Sequence, residues 1–146
     1  MKYLFAILTV LTVQTVFSTK PCVKCDLEKV RIANQHLDSL TTKILFDFLS
    51  TFDNSCKNNV EYSEFSNETL FAVLEKAPDL LFQVLSSEEI DDRIIIKEIE
   101  NPINDLIDLQ NIYNKTRRAT AKPELKTKYL NALISAAEKN GQKLKE

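Results

Sequence analysis

A single all-α domain is the fold class this sequence predicts, and three observations predict it. Among 146 residues there is one glycine, Gly141, against an average usage of roughly 7%. Tight Asn-Gly hairpins and Gly-rich phosphate loops are therefore excluded, whereas helices need no interior glycine. Apolar residues recur at steps of three and four along most of the chain, the helical period. Pro78, Pro102 and Pro123 each stand where a new helical stripe begins, the position where a proline is tolerated in a first turn.

Residues 1–18, MKYLFAILTVLTVQTVFS, read as a secretory signal peptide. Lys2 gives the positive start, Tyr3 to Val13 the apolar run, and Val16 and Ser18 the −3 and −1 positions of a cleavage site. The run is shorter than the about 20 apolar residues a spanning helix needs, and no later segment reaches that length. Thr19-Lys20-Pro21 before Cys22 is unsuited to lipidation, so a secreted or periplasmic protein is expected, with residues 19–146 forming one domain.

The first mature stripe comprises Leu27, Val30, Ala33, Leu37, Leu40, Ile44, Phe48 and Phe52. Unbroken by proline or glycine, it predicts one long helix from Asp26 to Phe52, ended by the polar run DNSCKNNVEYS. A rival fold breaks this helix at Asp38–Thr42 and makes a hairpin.

A second helix is expected over Ser66–Lys76 and a third over APDLLFQVLSS. Ser86–Glu89 fits a capping box for EEIDDRIIIKEIE, read as helical although Ile94–Ile96 also suits a strand. A fifth helix is expected from Asn101-Pro102, with Ile103, Leu106, Leu109, Ile112 and Tyr113 inward. The last opens at Pro123, buries Leu125, Tyr129, Leu133, Ile134 and Ala137, and ends at Gly141. Six helices of this kind, about half a dozen by the periodicity, resemble over Ser66–Lys139 the HEAT-like and other α-hairpin repeat domains in layout, with no repeat consensus. The resemblance implies a HEAT-like array or an orthogonal bundle, with the long first helix as a cap or spine.

Three cysteines invite chemistry. Cys22 and Cys25 form a CxxC pair at a helix start, where a thiol pKa is lowered, yet the βαβ context of a thioredoxin centre is absent. Three cysteines and His36, the single histidine, do not compose a zinc site. In an exported protein oxidation is the default. A straight helix of about 40 Å separates Cys25 from Cys56, and a disulfide needs Cα atoms within about 7 Å. The straight helix therefore predicts a local Cys22–Cys25 bridge, or two free thiols, with Cys56 unpaired; the hairpin would instead return Cys56 to the CxxC end.

Other chemistry is sparse. His36 has no nucleophile-elbow serine to serve. Glu88, Glu89, Asp91 and Asp92 lack the spacing and glycine of an EF-hand loop and suit a helix N-terminus, as Lys115–Arg118 suits a C-terminus. Asn67-Glu68-Thr69 and Asn114-Lys115-Thr116 are glycosylation triplets. The formal charge of −2 does not point to nucleic acid. No catalytic residue, metal or cofactor is expected. The reading is an exported helical domain that binds a protein partner through a surface, with Tyr62 and Phe65 in the linker NNVEYSEF as exposed aromatics, together with the long helix. The alternatives are a carrier of a small apolar ligand between helices, lined by Phe46, Phe48, Phe71 and Phe82, and a thiol-disulfide protein using Cys22 and Cys25.

Overall fold

The computed structural model describes residues 23–87 and 90–145. The expected signal peptide and Cys22 lie outside them. The described chain is all-α, with no strand, and forms one compact domain. It comprises α1 (Leu27–Gln35), α2 (Thr42–Leu49), a 3-10 turn (Asn54–Asn58), α3 (Val60–Lys76), α4 (Pro78–Ser87), α5 (Asp92–Ile99), α6 (Leu109–Arg118) and α7 (Pro123–Lys139).

Side-chain caps set most of the boundaries. Asp26, Thr41, Asn59, Asp91 and Asp108 each accept a backbone N–H from the first turn of the helix that follows, satisfying donors that otherwise lack partners. Pro123 opens α7 as expected. Gly141, at φ +68°, closes it, with Gly141 N donating to Glu138 O and Gln142 N to Ala137 O. That pair of bonds is the Schellman arrangement, which needs a left-handed residue at the position glycine fills.

The long first helix is corrected. His36–Thr41 is a turn, closed by Ser39 N donating to His36 O, and Thr41 recaps the chain as α2. The stripe did not reveal this because Leu37 and Leu40, in the turn, still pack against the core at helical phase. Two further boundaries differ. α3 begins at Val60, not Ser66, because the Asn59 side chain caps it. α6 begins at Leu109, not Pro102, so Ile103 and Leu106 lie in a loop and are exposed. Of the expected capping box, Ser86 lies within α4 and Glu89 lies outside the described residues; Asp91 caps α5.

The core organises around α3. This helix packs against α1, α4, α5 and α6 and the 3-10 turn, while α7 covers α5 and α6, and α2 reaches α4. Such packing is a bundle about a central helix, unlike a repeat array, in which each unit touches only its neighbours. Packing against four helices explains why α3 carries Ser66, Asn67 and Thr69 inside, beside Tyr62, Leu70, Phe71, Val73 and Leu74, with its Glu61–Glu64–Glu68 face left to solvent. Buried polar groups need partners. Asn67 finds four: its Nδ2 donates to Glu98 O, Glu98 Oε2 and Asn101 O, and its Oδ1 accepts from Ile103 N. One α3 side chain thereby fixes the start of the loop between α5 and α6.

Candidate functional site

The cysteines resolve first. Cys25 is bonded to Cys56, with Cα atoms 5.6 Å apart. This corrects both the Cys22–Cys25 pairing and the free Cys56, and the cause is the α1–α2 reversal, which brings the 3-10 turn back to the start of α1. Cys25 takes φ +56°, a conformation costly to a side-chain-bearing residue, and its N–H donates to Thr51 O. With Cys25 committed to Cys56, the bridge staples a helical hairpin.

Tyr62 is corrected as well. It is 2% exposed, and its hydroxyl lies 2.7 Å from Thr51 Oγ1, which itself donates to Phe48 O, so the phenol is the donor. Burial pushes the phenol up to about 12, against smaller opposing effects from hydrogen bonds with Thr51 and Ser66. It is a core tyrosine and presents nothing to a partner. Phe65, next on the same helix, is half-buried at the surface.

The four phenylalanines proposed to line a pocket are dispersed. Phe48 and Phe82 are sealed in the core, in edge contacts with Phe52 and Tyr129. Phe71 is buried against α1 and α6 with one edge on a surface cleft, and Phe46 lines a different cleft with Lys24, Phe52 and Ile94. No described cleft is lined by more than one of the four.

The remaining candidates have local roles. His36 is exposed, with Nδ1 3.4 Å from Ser39 Oγ across the α1–α2 turn. Asp91 binds Arg93 through its side chain and caps α5, and that Arg93 hydrogen bond holds its carboxyl below the usual range. Asp92 pairs with Lys128, and Lys115 with Glu75. Glu88 and Glu89 lie outside the described residues. No group of three or more His, Cys, Asp or Glu among the described residues is placed to hold a metal ion. Both glycosylation triplets fall in helices: Asn67 is fully buried, and in the second Thr116 is.

One surface stands apart. Glu61, Glu64, Phe65 and Glu68 follow helical spacing on the outer face of α3, and the loop before α6 faces them with Ile103 and Leu106. Together they line a cleft of about 660 Å³. Leu106 is 90% exposed and Ile103 47%, the largest exposed hydrophobics of the loop. The loop is nevertheless firmly held. Asn67 anchors Ile103 N, Asn104 Oδ1 accepts from Leu106 N, and Asn104 Nδ2 donates to Glu68 Oε1 at 3.0 Å. Asp105 adds a fourth carboxylate to the lining, and no lysine or arginine lines it.

Periodicity placed Ile103 and Leu106 inside a helix, so this surface was missed. The signal lay in Asn104, Asp105 and Asp108, residues that favour turns and caps over helix interiors. No family model, curated protein or solved structure matches the chain.

Proposed function

We propose that this protein is an exported, non-enzymatic helical domain that binds a protein partner through the cleft between α3 and the Ile103–Leu106 loop. The observation that carries this reading is Leu106: a leucine held in water at 90% exposure by a loop with three specific side-chain anchors. A loop that merely connected α5 to α6 has no need to fix an apolar side chain outward, and fixed apolar projections beside a cleft mark interaction sites. Export rests on the leader at residues 1–18. The Cys25–Cys56 bridge suits an oxidising compartment, secreted or periplasmic.

The test is site-specific photo-crosslinking in the secreted or periplasmic fraction of the source cells. A benzophenone side chain at position 106 should give a discrete adduct, and one at exposed Asn131 on α7 should not. Excess unlabelled protein should compete the adduct away, whereas excess Ile103→Ser/Leu106→Ser should not. Equal labelling at both positions, or competition by the double variant, defeats the reading. Mass spectrometry of the exported protein should show an N-terminus at Thr19.

A further inference from the structure

We infer that the partner presents a cationic amphipathic helix to this cleft. The inference rests on the interaction reading above and adds the chemistry of what is bound.

Charge is the first argument. The whole chain is nearly balanced, at −2, yet Glu61, Glu64, Glu68 and Asp105 crowd one cleft with no cation in its lining. Six ion pairs join described residues, and none involves these four carboxylates. Glu64 and Glu68, four apart on one helix, repel. Some surface acids elsewhere are ion-paired, as in Asp92–Lys128 and Glu75–Lys115. These carboxylates share their cleft with the exposed Ile103 and Leu106.

Shape is the second. A neighbouring cleft of about 390 Å³ shares Glu68, Asn104 and Leu106 and continues along α3 past Ala72 to Glu75, with Asp108 on its rim. From Glu61 to Glu75 the helix rises about 21 Å, the length of a helical segment of about 14 residues. An apolar centre of Phe65, Ile103 and Leu106 within an acidic border is the complement of an apolar stripe flanked by Lys and Arg. Steering by the acidic field speeds encounter, and covering Leu106 supplies the apolar contact. The carboxylates are not arranged to hold a metal ion, and their charge repels anionic lipid and nucleic acid.

The experiment uses the folded, disulfide-bonded protein and three fluorescent peptides of about 14 residues, the length set by the helical rise. One contains Leu and Lys in helical period, one has the same composition with the period destroyed, and one replaces Lys by Glu. The helical Leu/Lys peptide should bind at least about tenfold more tightly than the other two, and added salt should weaken it. Leu106→Ser and Glu61→Lys/Glu64→Lys alter exposed positions, so thermal unfolding should be unchanged, and each should lower affinity about tenfold, the equivalent of losing one buried side chain or two screened charge contacts. Absence of binding, equal binding of the scrambled or acidic peptide, or undiminished binding by both variants overturns the inference. So does a concentration-dependent dimer abolished by the same substitutions, because the face would then belong to a second copy. If position 106 crosslinks a discrete protein while the Leu/Lys peptide is ignored, the interaction surface stands and the cationic helix falls.

Discussion

Asn67 and Ile103 are joined by a hydrogen bond that crosses 36 positions of sequence: the Ile103 N–H donates to the buried Asn67 Oδ1 at 3.1 Å. The Asn67 Nδ2 in turn donates to Glu98 O and Asn101 O. One side chain of the central helix therefore ends α5 and starts the loop that carries the proposed binding side chains.

Asn67→Ala should be among the most damaging polar substitutions. It strands the Ile103 N–H and the Asn101 carbonyl in a partly buried site, while Glu98 O keeps the Asn101 N–H, at about 1–3 kcal/mol for each group that stays unsatisfied. Asn67→Asp should also destabilise, because a carboxylate cannot donate to those carbonyls and would face Glu98. Urea denaturation gives the loss, and faster hydrogen exchange at Ile103 would locate it. Wild-type stability in Asn67→Ala would show that the loop is held by other means.

Breaking the Cys25–Cys56 bridge by Cys56→Ser should destabilise the fold by about 3–4 kcal/mol, the chain-entropy value for a loop of its size. The sequence separation it closes is 31 residues. Lys24 divides the CxxC pair, so trypsin places Cys22 and Cys25 in separate peptides. Non-reducing digestion should recover residues 25–29 linked to residues 44–57. A linkage between the Cys22 and Cys25 peptides would contradict the structure.

Tyr129 is fully buried on α7, edge-on to Phe82 with centroids 5.3 Å apart, and its hydroxyl has no hydrogen-bond partner among the described residues. Burial, with a smaller contribution from Asp92, raises its ionisation well above the ordinary phenol range. Removing an unsatisfied buried hydroxyl removes a desolvation penalty. Tyr129→Phe should therefore match or exceed wild-type stability, by up to about 1 kcal/mol. A loss of that size would mean the hydroxyl is satisfied.

Tyr62 gives a pH dependence. Its phenol rises from 10.0 to about 12 on folding, so the folded state holds the proton more tightly than the unfolded state. The resulting stability is fully present below pH about 10 and is lost as pH climbs from there through about 12. Chemical denaturation across that window should show a steeper decline for wild type than for Tyr62→Phe, which at neutral pH loses only about 0.5–1.5 kcal/mol with its hydrogen bond to Thr51. Identical slopes would remove the buried phenol as the cause.

The helical class was legible because it rests on quantities a sequence carries directly, the scarcity of glycine and the three-four apolar spacing. Reversals were not. Leu37 and Leu40 stay in phase through the α1–α2 turn, so periodicity alone cannot separate a rod from a hairpin, and the disulfide inherited that ambiguity. Thr41, three residues before Ile44, was the available cap signal. Ile103 and Leu106 misled for the opposite reason: their spacing is helical, but Asn67, a distant residue, captures the backbone at Ile103 before a helix can start. The chemistry of Tyr62 was visible in its type, while its burial depended on where Asn59 began α3.

The placement of α3 has a consequence for how the chain acquires its structure. Synthesis delivers a polypeptide from its N-terminus, so α1, α2 and α3 emerge before the helices that complete the burial of α3. Until α5 and the following loop arrive, Asn67 has none of its carbonyl partners, and until α6 arrives one flank of α3 meets water. The N-terminal hairpin can be closed early by its disulfide, but the central helix cannot be finished by anything upstream of it. Folding therefore concludes only once the full length is available, and a chain cut between α4 and α5 should leave no half with a complete native core.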